Sequence, residues 1–216
     1  MIKTIMKVIY VMVHIKLLKK LISMPFSGYF YEIGWFKSFE KQLPVDKDEL
    51  PLPWVTYGFI DFIAERLNER FDVFEYGSGN STKWYSRKVR SVTSVEHDKE
   101  WFDFIKDGMP SNVDLKFQDL EYGGDYSNTS GLCGKKFDLI VVDGRDRVNC
   151  VKHSISSLKS GGVIVLDDSE RSAYSQALRL LKESGFRRID FWGISPGLFY
   201  KKNTTIFYKS DNCLGI

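Results

Sequence analysis

Apolar residues along the chain repeat at two spacings, and the two alternate. Val73-Phe74-Glu75-Tyr76, Val92-Thr93-Ser94-Val95 and Val113 to Phe117 read as short strands. Leu139-Ile140-Val141-Val142 and Val163-Ile164-Val165-Leu166 are unbroken apolar runs, which suit central strands covered on both faces. Two more strands are expected near 187–192 and 204–208. Helical spacing fills the intervals. Phe59, Ile60, Phe62, Ile63 and Leu67 mark a helix over 57–69, and further helices are predicted over 81–88 and 99–106. Val148, Val151, Ile155 and Leu158 mark another, stopped by Gly161-Gly162, and Ala173 to Leu181 one more, ended by Gly185. Residues 121–136 are polar and contain glycine, and read as a loop. Strand–helix alternation of this kind predicts an α/β fold with a mostly parallel sheet and helices on both faces. The last connection holds Pro196 and Gly197 in place of a helix, so the final strand is expected to run antiparallel.

The N-terminus has a different character. Residues 8–15 are apolar apart from His14 and lie between Lys7 and Lys16, far short of the roughly 20 residues a bilayer span requires. A basic start and a short apolar run have the look of a signal peptide, but Lys16, Lys19 and Lys20 follow directly and no A-x-A-like cleavage site appears. The lysines fall on different sides of a helical wheel, so the amphipathic signal is poor. A helix docked on the body or on a second subunit, forming a homo-oligomer through residues 1–24, is one expectation; a helix lying on an anionic membrane surface is a second, and a cleaved signal a third. Residues 27–53 are irregular and aromatic, with Trp35, Phe36 and Phe39 before Leu50-Pro51-Leu52-Pro53, and read as a packed connector. The chain thus divides at 53 into a basic helical extension with its connector (1–53) and a ligand-binding domain (54–216).

Charge sharpens this division. The formal net charge is +3, yet residues 1–31 carry five lysines and no acid, so the remainder is weakly acidic. A nucleic-acid binder would spread basic charge over its working face, so a small-molecule partner is expected and a nucleic acid is not. Cys133, Cys150 and Cys213 form no C-x-x-C pair, which fits incidental thiols in a reducing, cytoplasmic compartment. With 43% hydrophobic and 27% charged residues in 216, the composition is that of one soluble globular domain.

Ligands of open parallel sheets bind beyond the carboxyl ends of the strands. The first strand there supplies Glu75, Gly77, Gly79, Asn80, Ser81 and Thr82, where glycines permit a tight turn and a close backbone approach. The second ends in Glu96-His97-Asp98, the third at Asp119, the fourth at Asp143-Gly144-Arg145 and the fifth at Asp167-Asp168. A lone acid after a strand is usually a turn former or helix cap, but five on one sheet edge form a constellation. Their charge and the absence of a G-x-x-x-x-G-K pattern argue against a phosphate ligand. Thr56 and Tyr57 open a helix that should run antiparallel to the first strand, which puts them at the same edge.

Glu75-Tyr76-Gly77-Ser78-Gly79-Asn80-Ser81-Thr82, followed by Ser94 to Asp98, resembles the first two motifs of class I S-adenosylmethionine-dependent methyltransferases, and Phe137 to Arg145 and Gly161 to Asp168 resemble the family's fourth- and fifth-strand motifs. The resemblance implies a Rossmann-like, seven-stranded, mostly parallel sheet with an antiparallel last strand over about residues 57–208. It also implies S-adenosylmethionine as cofactor, with Gly77 and Gly79 flanking its methionyl part, Glu96 holding the ribose and Asp119 near the adenine. Glu75, Ser81, Thr82, His97, Asp143 and Tyr57 complete the expected cofactor-binding set. Asp143, Asp167 and Asp168 fall where catechol-type O-methyltransferases hold a divalent cation, which suggests Mg2+, although Arg145 takes roughly the neighbourhood of the lysine those enzymes carry. The expected reaction is methyl transfer to oxygen of a small polar or sugar-type acceptor, with Asp143 and Arg145 as catalytic candidates. The rivals are an NAD(P)-dependent oxidoreductase, weakened by Thr82 in place of a third glycine, and a non-catalytic cofactor-binding module.

Overall fold

The computed structural model describes residues 2–216. Its strands are β1 (Asp72–Tyr76), β2 (Ser91–Glu96), β3 (Val113–Phe117), β4 (Phe137–Val142), β5 (Leu158–Asp167), β6 (Arg187–Gly193) and β7 (Lys202–Tyr208). They form one sheet in the order β3-β2-β1-β4-β5-β7-β6. β1 to β5 pair in parallel, and β7 runs antiparallel between β5 and β6. The helices are α1 (Ile2–Val13), α2 (Ile15–Ser23), α3 (Tyr29–Glu32), α4 (Trp35–Lys41), α5 (Tyr57–Ala64), α6 (Asn80–Ser86), α7 (Lys99–Ile105), α8 (Asp125–Leu132), α9 (Arg147–Ser157) and α10 (Ser175–Glu183). The fold is thus the α/β architecture expected, reversed last strand included.

Alternation within the central strands explains their unbroken apolar runs. Val73, Leu139, Val141, Val163 and Val165 face one side, in a core completed by Phe59, Ile63, Tyr85 and Trp35. Phe74, Tyr76, Ile140, Val142, Ile164 and Leu166 face the other, against Tyr126, Val151, Ala177 and Leu181. Each strand therefore buries both its in- and its out-pointing residues. Trp35 and Leu52 of the connector lie within the first of these cores, together with Val55 and Tyr57. The connector's fixed shape depends on Gly34: its φ is +72°, and a Cβ there would fall 2.3 Å from the Asp46 carbonyl carbon.

Three elements differ from the sequence reading. Residues 121–136 are not all loop, because α8 lies within them. Its sequence, DYSNTSGL, carries no apolar stripe; it is held instead by the buried Tyr126 ring and by the Tyr76 hydroxyl, which donates to the Ser127 carbonyl at 2.7 Å. Gly161-Gly162 does not stop a helix. α9 ends at Ser157, where Leu158 turns extended, and the glycine pair falls inside β5. Finally, the N-terminal segment is two helices and not one. His14, with φ −97° and ψ 73°, breaks the run between α1 and α2, so a single helical wheel drawn across both misplaces every lysine of the second.

Candidate active site

β1 is followed by a crossover to β2 on one side, whereas the chain leaving β3 returns past β1 to form β4. Neighbouring strands β1 and β4 therefore send their chains in opposite directions, and a cleft opens beyond their carboxyl ends. It has a volume of about 350 Å³. Its floor is Glu75 with the turn Gly77 to Ser81; Glu96 and His97 come from β2, Asp143 and Arg145 from β4, and Trp101, Trp54 and Pro44 form walls.

Glu75 is 1% exposed. Its Oε2 accepts a hydrogen bond from the Thr82 hydroxyl at 2.5 Å, and that hydroxyl in turn accepts the Gly79 N–H at 3.0 Å. Thr82 thus locks the turn to the carboxylate from behind the cleft. Gly77 has φ +94°, a backbone conformation that side-chain-bearing residues rarely adopt, so glycine is favoured where β1 meets β4. Among the described residues no cation pairs with Glu75. Burial, with the Glu96 charge adding to it, pushes its carboxyl up to about 7 against the pull of the Ser81 and Thr82 hydroxyls.

Glu96 is fixed differently. Its Oε1 accepts the backbone N–H groups of His97 and Asp98 at 2.8 and 2.9 Å, and its Oε2 accepts the Ser78 hydroxyl at 2.7 Å. Asp98 caps α7 by accepting the Trp101 N–H at 3.0 Å. The Trp101 indole then donates to the Ser78 carbonyl at 3.0 Å and stands 3.5 Å from where a Gly79 Cβ would lie. The cap thus places an aromatic wall over the glycine turn.

The three aspartates expected to hold a metal are neutralised by protein cations. Arg147 Nη2 donates to Asp143 Oδ1 at 2.9 Å, and Arg147 Nη1 lies 3.4 Å from Asp168 Oδ2. Lys202 pairs with Asp167 and, at 2.8 Å, with Asp168 Oδ1. Arg171 reaches Asp168 Oδ2 at 2.7 Å, and the Thr204 hydroxyl donates to Asp167 Oδ1 at 2.7 Å. Burial pulls Lys202 down, but the surrounding aspartate charges outweigh it and hold the ammonium above the usual lysine range. A divalent cation brought to these carboxylates would meet two buried positive charges, so the residues do not fit one. Among the described residues no group of three or more acidic, His or Cys side chains is placed to hold a metal. The expectation of Mg2+ on Asp143, Asp167 and Asp168 is corrected accordingly: the sequence shows the acids, while Arg147 lies on a helix and Lys202 on a distant strand.

Of the expected site residues, Glu75, Gly77, Gly79, Ser81, Glu96, His97, Asp143 and Arg145 line the cleft. Thr82 acts behind it. Tyr57 does not reach it: the ring is buried in the core with Trp35 and Val55, and its N–H donates to the Ile194 carbonyl at 3.2 Å. Asp119 lies exposed beyond β3, and Asp167 and Asp168 sit beneath Arg147. Sequence reasoning missed Trp101, Trp54, Pro44 and Arg147. For Arg147 there was a signal, four residues after Asp143 at a helix start. Pro44 and Trp54 fall within residues 27–54, a stretch expected to shape the acceptor pocket though no single residue in it stood out, and Trp101 had no signal.

Two outcomes follow. Lys202→Met should lower stability by about 3–5 kcal/mol in urea unfolding, because it strands a buried aspartate charge, while EDTA should leave the wild-type melting temperature unchanged; a melting point lowered by EDTA would mean that metal holds the aspartates. Glu75 has a folded-state pKa of about 7 against 4.5, so the stability it contributes is complete below the lower value and is lost as pH rises to the upper one. Glu75→Gln should therefore gain about 2–3 kcal/mol on the wild type between pH 5 and pH 8. A pH-independent difference would mean that Glu75 is ordinary.

No protein-family model and no curated protein sequence matches the chain. Solved structures do. A precorrin-6y C5,15-methyltransferase from Geobacter metallireducens GS-15 is 18% identical, with a TM-score of 0.55 over 78% of this chain and 98% of that one. The precorrin 8w decarboxylase of Methanobacterium thermoautotrophicum is 15% identical, with a TM-score of 0.50 over 78% of this chain and 96% of that one. This likeness is one of fold, and the chain has the fold of the class I S-adenosylmethionine-dependent methyltransferases.

Proposed function

We propose that the chain is an S-adenosylmethionine-dependent methyltransferase that acts, without a metal, on a hydroxyl oxygen of a small polar or sugar-type acceptor. The observation that carries this reading is the uncompensated Glu75 carboxylate at the cleft floor, since a buried acid without a cation suits a ligand that brings one. When bound, S-adenosylmethionine supplies an electrophilic methyl carbon on its sulfonium. Glu75 would pair with the methionyl ammonium, and the Gly77 turn would let the backbone approach it. Glu96, already oriented by two backbone N–H groups, would accept the ribose hydroxyls in competition with Ser78. Trp101 and Pro44 supply apolar walls that exclude water.

Asp143 and Arg145 stand on the opposite lip. Arg147 occupies one oxygen of Asp143, and the side chain remains 24% exposed. Burial and the Asp167 charge push this carboxyl up, against Arg147 and Lys202. Such a group can take the proton of an acceptor hydroxyl as the oxygen attacks, and the exposed Arg145 can orient a polar acceptor. Most of the catalysis would come from alignment of that oxygen with the methyl group. A dinucleotide suits the cleft less well, because its pyrophosphate would face Glu75, Glu96 and Asp143.

Calorimetric titration tests the reading. Adenosylhomocysteine should bind and NAD should not, and Glu96→Ala should weaken adenosylhomocysteine by about 1–3 kcal/mol while the protein stays folded. Binding of NAD alone would overturn the proposal, and unchanged affinity in Glu96→Ala would remove Glu96 from the ribose site.

A further inference from the structure

The break at His14 makes each N-terminal helix amphipathic in its own right. At 100° per residue, Lys3 and Lys7 of α1 share one side while Ile5, Met6, Ile9 and Val13 share another. In α2, Lys16, Lys19 and Lys20 occupy one side and Ile15, Leu18, Leu21 and Ile22 the opposite one. These apolar faces are not folded away: Ile9 is 55% exposed, Val13 74%, and Ile15 and Ile22 63% each. The apolar surface also continues onto the body. Leu21 and Met24 meet Phe30, Trp35, Leu198 and Phe199 around an apolar cavity of about 420 Å³. Beside it Phe26, Tyr29, Phe199 and Tyr200 are each more than half exposed. Phe199 packs edge-on against Trp35 at 4.5 Å, which ties the loop between β6 and β7 to α4. That loop also holds the Pro196 carbonyl, which accepts the Trp54 indole N–H at 2.8 Å, so the surface adjoins the cleft wall.

We propose that α1 and α2, with Phe26, Tyr29, Phe199 and Tyr200, form a docking surface for an anionic lipid bilayer. Charge selects the occupant. Residues 1–31 carry five lysines and no acid, so a second copy packed helix to helix on α1 and α2 would bring like charge against like, with no carboxylate in either helix to relieve it. Anionic headgroups supply the complement along the whole segment. Helices with apolar and lysine faces lie in the plane of the interface, lysine stems reaching up to the headgroups and aromatic rings at the same level. Neither helix crosses the membrane, since no helix among the described residues is long and apolar enough.

Vesicle co-sedimentation of the full chain provides the test, with adenosylhomocysteine titration of the same proteins as an independent readout. The chain should bind vesicles of phosphatidylcholine with phosphatidylglycerol and not vesicles of phosphatidylcholine alone. Binding should fall steeply in ~1 M salt, where the Debye length is about 3 Å. The triple variant Lys16→Gln, Lys19→Gln, Lys20→Gln should bind about 100-fold more weakly, at roughly a factor of 5 per lysine. Ile9→Asp with Ile22→Asp should abolish binding at any salt, and adenosylhomocysteine affinity should be unchanged in both variants. Absence of phosphatidylglycerol-dependent binding would overturn the proposal. So would full binding by the lysine variant, or a stable dimer in sedimentation equilibrium that Ile9→Asp with Ile22→Asp dissociates. Loss of adenosylhomocysteine binding in the wild type would instead remove the methyltransferase reading and leave the membrane surface standing.

Discussion

Charge compensation at the carboxyl edge of the sheet is the constraint on which the rest of this structure turns. β1, β2, β4 and β5 each carry an acid at or next to the carboxyl end, and parallel packing brings these ends together in a largely dehydrated layer. Left alone, the carboxylates would repel one another and resist burial. Arg147 and Lys202, built into the same layer, pair with Asp143, Asp167 and Asp168 and offset part of this, one from the helix after β4 and one from the reversed strand β7; burial still holds the Asp143 carboxyl above its usual range. The antiparallel last strand therefore does more than close the sheet, since it delivers the ammonium beneath the site. Glu96 escapes through backbone N–H groups. Glu75 has only hydroxyl donors, and it is the group left for a ligand to complete.

This distribution also separates the two chemistries that the sequence left open. Acids at the ends of the fourth and fifth strands suit either a metal or a protein cation, and spacing alone does not distinguish them. The deciding residues lie at positions 147 and 202, the second 35 residues beyond Asp167 along the chain. Only the β5–β7 pairing reveals that they meet.

The fold itself was largely legible, for a physical reason. Strands buried on both faces must be apolar throughout, and helices over them must carry a stripe, so β4, β5 and α10 announced themselves. α8 did not, because hydrogen bonds to Tyr76 and one buried ring hold it in place of an apolar face. The glycine pair at 161–162 misled because glycine marks irregular backbone without saying whether a helix has ended or a strand has begun. The cleft's acidic and glycine residues were visible as strand-end motifs, whereas Trp101, Trp54 and Pro44 reach it through tertiary packing. Tyr57 shows the converse: its place at a helix start suggested the cleft, but its ring turns into the core. The N-terminal amphipathicity was hidden by one residue, since a helix phase carried through His14 scatters the lysines, whereas α2 taken by itself has its three on one side.

Glu75 is the buried carboxylate left for a cationic ligand, and the most direct measurement is the titration of its carboxyl carbon by NMR, with and without adenosylhomocysteine. Free protein should show an apparent pKa near the value of about 7 that burial imposes. In the complex, a ligand ammonium against the carboxylate should bring it down to the ordinary range of about 4. A Glu75 that titrates identically in both states, while adenosylhomocysteine is bound, would contradict the account.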